Sequence, residues 1–345
     1  MMASCEECII SSRGYTVDFA GIQKIDSLHN YYIGLEIQQW ERVSESIFWL
    51  EESIFFNLID YVNAHLDTNP IMAVLSSRSD PLSKLDHMKP IGQFQQEREA
   101  SWIDTIILNK RIRTHYQPIV SLHDEEVRIV GHELLSRGIN EDGSLIPPNK
   151  MFEAARSRNR LFALDRLCRM ESVSNSVALQ DQLIFINFIP TAIYVPEHCL
   201  STTFALIREL NLKPENIVFE VIESDEVKDT EHLKSILRYY KSHGFKYALD
   251  DVGVGYNNLK MLSQMDPDYI KLAFEFSNGV SRDDEKRKIA QEVIDIAHEL
   301  KATPLAEGVE RKEDLDCLRE MGYELFQGYY FAKPQELPLQ QIDSL

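Results

Sequence analysis

From Thr114 onward, short apolar runs alternate with longer amphipathic stretches. The runs at 116–120, 127–134, 183–187, 217–221, 247–250, 269–272, 304–306 and 323–326 have the length and composition of strands. Helical stretches at 150–157, 164–175, 231–242, 282–299 and 311–321 lie between most of them. Parallel strands need long crossovers, so this alternation predicts an α/β chain folded as a closed (β/α)8 TIM-like barrel. The first two runs break the rule. The gap between them, containing Asp124, Glu125 and Glu126, is too short for a crossover and predicts a hairpin, hence an antiparallel first strand.

The first 96 residues have another texture. Short strands are expected at 31–35 and 71–75, and a helix within 44–64 with Ile47, Leu50, Ile54, Leu58 and Tyr61 at helical spacing. A second helical stretch, 93–111, offers Trp102, Ile106 and Leu108 for packing. The expected organisation is a small α/β or mainly helical N-terminal region over 1–96, regulatory or dimer-supporting, then a linker helix over 97–111. The barrel follows over 112–337 and a tail over 338–345.

The net charge of −19 changes what such a barrel is expected to bind. It disfavours duplex nucleic acid, whose binding relies on clustered Lys and Arg. A small anionic substrate stays open, because metal ions invert the local field of an acidic pocket. No apolar run reaches about 18 residues, so no membrane span is expected. The start, MMASCEECIISSRG, lacks the basic and apolar regions of a secretory signal, which makes the cytoplasm the default. The five cysteines are scattered and make a poor disulfide framework. Cys5 and Cys8 form a CEEC pair suited to redox work or half a zinc site, but without a second CxxC or CxxH they read more simply as surface or packing residues.

The candidate chemistry lies at the ends of the runs. Glu133, Asn187, Glu220, Asp250, Asp251 and Glu307 each stand at or just beyond one, and a barrel brings its strand ends to one face. Taken singly, an acid there is more often solvated or a helix cap, and an Asn a turn former. Taken together, they are hard oxygen ligands of the kind that hold Mg²⁺ or Mn²⁺. Lys271 and Arg137 suit a phosphoryl group, so the set points to metal-assisted phosphodiester hydrolysis. Side chains of the adjacent Asp250 and Asp251 diverge on a regular strand, and the turn with Gly253 and Gly255 is expected to bend the chain so that both address the metals. Cations beside Lys271 disfavour its proton while the carboxylates favour it, so the residues alone leave its charge open.

Across 112–337 the motifs YQPIV, GHELLSR, FIN, FEVIES, ALDDVGVGY, DYIKL, AEGVE and FQGYYFAKP occur in an order and spacing that resembles the EAL-domain phosphodiesterases. These hydrolyse the bacterial second messenger cyclic di-GMP to linear pGpG. The resemblance implies two Mg²⁺ or Mn²⁺ ions held by Glu133, Asn187, Glu220, Asp250, Asp251 and Glu307. It implies a catalytic role for Lys271, which would hold the nucleophilic water, and for Glu307 and Glu133. Substrate contacts are implied at Gln117, Leu135, Arg137 and Gln327, with Glu223 steadying the loop after Asp251. It further implies a homodimer, and the N-terminal region suggests a regulatory protein partner. The chain departs from the family at Leu134, where Ala is usual, at Val252 and Val254 in the loop, and at Ala273, where active relatives commonly carry Asp. Those departures keep an alternative open: a weak or inactive cyclic di-GMP receptor or protein-interaction module.

Overall fold

The structure is a computed structural model that describes residues 13–20, 39–123, 126–179, 181–222, 230–253 and 265–342. Two compact units form, one from Met1–Asn109 with Lys150–Ala163, the other from Lys110–Asn149 with Leu164–Leu345.

In the first unit, Gly14–Asp18 (β1), Trp40–Arg42 (β2), Ile47–Glu51 (β3), Met72–Ser76 (β4) and Lys89–Pro90 (β5) pair as an antiparallel sheet in the order β2-β3-β1-β4-β5. β3 and β4 flank β1 and are joined by the helix Glu52–His65 (α1), which buries Ile54, Phe55, Leu58, Ile59 and Val62. The helix expected within 44–64 therefore starts only at Glu52. The residues before it, Ile47-Phe48-Trp49-Leu50, are aromatic or aliphatic and pair with β1 on one side and β2 on the other, which outweighs their helical spacing. Tyr61 is 49% exposed and packs little. The stretch 93–111 is also broken, at Ala100 and Ser101, between a short turn of helix at Gln95–Glu99 and the helix Trp102–Leu108 (α2). There Ile103 and Ile106 are buried and Leu108 is exposed. The strand expected at 31–35 and the Cys5–Cys8 pair lie outside the described residues.

Charged residues converge inside this unit. The Arg158 guanidinium, 0% exposed, pairs with Glu52 at 2.8 Å and with Asp104, and Arg160 pairs with Asp104 at 2.8 Å. Arg13 pairs with Glu52 at 3.2 Å, and Glu97 accepts from Lys89 at 3.1 Å and from the Tyr15 hydroxyl at 3.1 Å.

The second unit is built on a mixed barrel. Its strands are Ile112–His123 (β6), Glu126–Ile139 (β7), the two-residue Leu145–Ile146 (β8), Leu183–Phe188 (β9), Ile217–Ile222 (β10), Lys246–Val252 (β11), Tyr269–Leu272 (β12), Thr303–Ala306 (β13) and Leu325–Phe326 (β14). Seven of them run parallel from β7 through β9 to β14, β6 closes the ring antiparallel to both β7 and β14, and β8 only caps an end of β7. The expected barrel with an antiparallel first strand is thus what forms. Along the chain follow the helices Pro148–Ser157 (α3), most of which belongs to the first unit, Leu161–Asn175 (α4), most of which belongs to the second, Ser201–Glu209 (α5), Thr230–Ser242 (α6), Phe274–Ser277 (α7), Asp284–Leu300 (α8) and Lys312–Met321 (α9). None of the helices among the described residues is long and apolar enough to cross a membrane.

Period-two alternation gives the strands two apolar faces. The outer one, with Ile184, Ile186, Phe219, Leu249 and Ile270, packs against Leu233, Ile236 and Tyr240 of α6 and Val293 and Ile294 of α8. The inner one is a separate cluster, one buried residue from each barrel strand except β7: Ile119, Phe185, Val218, Ala248, Tyr269, Leu305 and Leu325. It plugs the barrel, as layered side chains do in this architecture.

A buried acid fixes the loop after α7. Asp314, 0% exposed at the start of α9, accepts from the backbone N–H groups of Gly279 and Ser281 and from the Ser281 hydroxyl, at 3.0, 3.0 and 2.6 Å. Burial opposes its ionisation, but these donors hold its pKa below the usual aspartate value. A depressed pKa contributes stability above the ordinary value and loses it as pH falls through the folded-state value. Asp314→Asn turns an amide toward a donor, and we expect it to cost about 1–3 kcal/mol at neutral pH. In thermal unfolding from pH 7 downward, the gap between wild type and variant should narrow below about pH 4.

Candidate metal and phosphodiester site

Two residues beyond each member of the inner apolar layer, on the same inward face, stands a polar residue. Phe185 is followed by Asn187, Val218 by Glu220, Ala248 by Asp250, Tyr269 by Lys271, Leu305 by Glu307 and Leu325 by Gln327. On the reversed strand β6 the order inverts, and Gln117 precedes Ile119. Glu133 sits two residues beyond Gly131, where a Cβ would come within 2.6 Å of the Leu183 carbonyl oxygen. One pleat step thus converts a dry plug into a floor of acids, amides and one amine.

The ladders hold this floor in register: Glu133 stands opposite Gln117 in the β6–β7 pair, and Glu220 opposite Asn187 in the β9–β10 pair. The Asn187 and Gln327 amides donate to the two oxygens of Glu133, each at 2.8 Å. Lys271, 0% exposed, places its ammonium among four carboxylates. It lies 3.0 Å from Asp250 and 3.8 Å from Glu133, and also pairs with Glu220 and Glu307.

The ligand atoms fall into two overlapping sets. Oxygens of Glu133, Glu220 and Glu307 lie within 4.8 Å of one another, as do those of Asp250, Asp251 and Glu307. Both oxygens of Glu220, Asp250 Oδ1 and Glu307 Oε1 are buried without a directional hydrogen bond, although the Lys271 ammonium is within ion-pair distance. Buried acceptors left in this condition are costly unless a cation meets them, so the donor set fits hard divalent ions.

Electrostatics follow from the crowding. Burial, and then Glu133, push the Glu220 pKa well above the usual carboxylate value, and burial with Asp250 does the same to Glu307. Burial and the neighbouring Asp250 raise Asp251 to about 6. For Asp250 burial acts the same way, but the Lys271 charge and the hydrogen bond from Glu307 win and hold it below its usual value. Burial disfavours the Lys271 charge, yet Asp250, Glu133, Glu220 and Glu307 more than offset it, so without metal the amine stays protonated.

The bend that lets both aspartates address the site is not where the glycines predicted it. The β11–β12 register shifts between Leu249 and Val252, and Asp251 itself takes a left-handed φ of 55°, followed by Gly253 at 111°. A bulge inside the strand re-aims the second acid before the turn begins, and a short polar residue is among the few that tolerate that conformation. Val252 is fully buried; Val254, Gly255 and Glu223 lie outside the described residues.

Leu135 and Arg137 continue the inward face of β7 past Glu133, both half-buried. Burial lowers the Arg137 pKa somewhat, Glu133 opposing, and its guanidinium donates to the Ser136 carbonyl at 2.9 Å. Leu134 points the other way and is 2% exposed in the outer core, where Leu in place of Ala is a packing change. Gln117 is buried and donates to the Ala332 carbonyl at 3.5 Å. Ala273, 2% exposed, follows β12 and donates its N–H to the Val252 carbonyl at 3.2 Å. Reading the sequence missed Ser277, Asn278 and the part played by Gly308. The first two carry no motif signal, and Gly308 was legible only as part of AEGVE.

Comparison with known proteins bears on the same region. The family model described as EAL domain matches residues 100–334. The chain is 33% identical over 236 residues to the protein of Escherichia coli K12 named "Probable cyclic di-GMP phosphodiesterase PdeG", a match covering 66% of this chain and 45% of that one. It covers 43% of a second such protein, PdeB. The chain therefore spans less than half the length of these curated relatives. A standalone EAL protein from Vibrio cholerae O395, solved in its c-di-GMP bound form, is 32% identical and superimposes with a TM-score of 0.59 over 67% of this chain and 95% of that one. The phosphodiesterase PaMucR, solved as a c-di-GMP complex, shares the fold with a TM-score of 0.62 at 21% identity, covering 69% and 97% of the two chains. Barrel topology, the layered site and the matched residues agree, and the chain belongs to the EAL domain family.

Proposed function

We propose that this protein hydrolyses cyclic di-GMP to linear pGpG with two Mg²⁺ or Mn²⁺ ions. The observation that carries the reading is the pair of acidic sets sharing Glu307 at the mouth of the plugged barrel. Glu133, Glu220 and Glu307 would hold one ion and Asp250, Asp251 and Glu307 the other, with Asn187 beside Glu133. Bound there, the ions supply neutralisation of the phosphoryl oxygens and activation of water for in-line displacement. The chain's own residues do the rest. Arg137 draws the phosphate onto the inward face of β7, while Gln117, Leu135 and Gln327 line its approach. Lys271, released from carboxylates that turn to cations, holds the attacking water by its ammonium. The water oxygen bonds to phosphorus and the bond to the ribose 3′ oxygen breaks. That oxygen leaves with a proton, and the product carries a free 5′ phosphate.

In this reading the protein is a homodimer, and residues 1–96 are a regulatory module open to a protein partner. Ala273 favours a second reading, a receptor that binds cyclic di-GMP with little turnover, because it leaves no carboxylate two residues past Lys271, where active relatives commonly carry Asp. The purified full chain with Mn²⁺ and cyclic di-GMP should yield pGpG on chromatography. Absence of pGpG with metal occupancy verified overturns the enzyme reading, and tight nucleotide binding in the same sample establishes the receptor.

A further inference from the structure

We infer that α7 is a brace for the two turns carrying Asp250, Asp251 and Glu307, and that Ser277 is its positioning residue. This rests on the metal-site reading and goes beyond it, since Ser277 belongs to none of the ligand or substrate positions. The short helix starts directly after Lys271-Leu272-Ala273 and meets both turns. On the Glu307 side, the fully buried Ser277 hydroxyl donates to the Glu307 carbonyl oxygen, and the Asn278 amide donates to that of Gly308 at 3.5 Å. The Glu307 N–H in turn donates to the Leu272 carbonyl at 3.2 Å. Gly308 has φ 60°, and a Cβ there would collide with the ring of Phe274. On the Asp251 side, Ala273 N–H bonds the Val252 carbonyl, and at Gly253, φ 111°, a Cβ would meet the Phe276 ring at 2.8 Å. Both turns are stripped to glycine where an α7 aromatic ring lies against them.

The far end of the brace is anchored as well. Asp314 fixes Gly279 and Ser281 through their backbone N–H groups. Glu307 is the one acid common to both candidate ion sites, so a displacement of its backbone would disturb both sets together. A shared ligand tolerates little freedom, because ligands must be held to a fraction of an ångström and the groups behind them do the holding. Ser277 acts through the main chain of Glu307, not on its carboxylate.

The test is Mn²⁺ titration calorimetry on the full chain, with hydrolysis followed against Mn²⁺ concentration and thermal unfolding measured alongside. Ser277→Ala removes the donor; Phe274→Ala removes a ring that is half exposed, a second variant that keeps the test open if the first fails to fold. Each is expected to weaken Mn²⁺ binding about tenfold. The Mn²⁺ concentration for half-maximal hydrolysis should rise in step while the rate at saturating Mn²⁺ recovers. A lowered unfolding temperature with unchanged Mn²⁺ affinity would assign α7 a purely structural role and overturn the brace. A wild-type chain that binds no Mn²⁺ overturns the metal-site reading itself, and the brace with it.

Discussion

Glu220→Gln is expected to abolish Mn²⁺-dependent hydrolysis while leaving the metal-free protein at least as stable as the wild type. Glu220 is fully buried, both its oxygens lack directional hydrogen bonds, and burial together with Glu133 keeps it well above the usual carboxylate pKa. Without metal, burial and Glu133 disfavour its charge, so a neutral amide of the same shape costs little. With metal the amide loses the charge that a hard cation needs. A loss of about 4 kcal/mol in barrier lowering corresponds to roughly 10³-fold in rate. Two measurements check this together: pGpG formation, and the rise in melting temperature that Mn²⁺ gives the wild type by binding the native state. Wild-type turnover in the folded variant would mean that the site is misplaced.

Lys271→Met should behave in the opposite sense on stability. Its ammonium is the only cation of the described residues in ion-pair reach of Glu133, Glu220, Asp250 and Glu307. Removing one partner of a buried ionic group typically costs about 3–5 kcal/mol, because the opposite charges stay behind uncompensated. The metal-free variant should therefore melt well below the wild type, and Mn²⁺ should restore much of the difference by taking over the neutralisation. Turnover should not return with it, because the ions replace the charge and not the hydrogen bond to the attacking water. Melting curves with and without Mn²⁺, paired with product analysis, separate the two effects. Equal melting temperatures without metal would show that the carboxylates do not depend on the lysine.

The barrel was legible because short apolar runs of strand length alternate with helical stretches, and the candidate site residues sit at the ends of those runs. The eight runs from 116–120 to 323–326 correspond to strands, and the short gap before Val127 gave away the antiparallel β6. The site was legible as a list but not as a geometry. Nothing local in Asp250-Asp251 shows that the bend falls on Asp251, since the bulge depends on pairing with β12. Nor does Ser277 announce itself, because its partner is a carbonyl thirty residues away. The N-terminal unit was least legible. Ile47, Leu50 and Ile54 satisfy helical spacing, and only the neighbouring strands β1 and β2 decide that the first two are extended.

Arg158 gives the homology boundary a meaning of its own. The stretch shared with the EAL family begins at residue 100, and Arg158 lies within it, yet one of the acids that neutralise its buried guanidinium, Glu52, is contributed from outside. Descent and folding thus divide the chain at different places. A lineage that exchanged the leading module for another would inherit a guanidinium with half its counter-charge missing, and would have to supply a new acid or surrender the arginine. The N-terminal module is on this account not a detachable cassette but a co-adapted part, and its replacement should be accompanied by change at position 158.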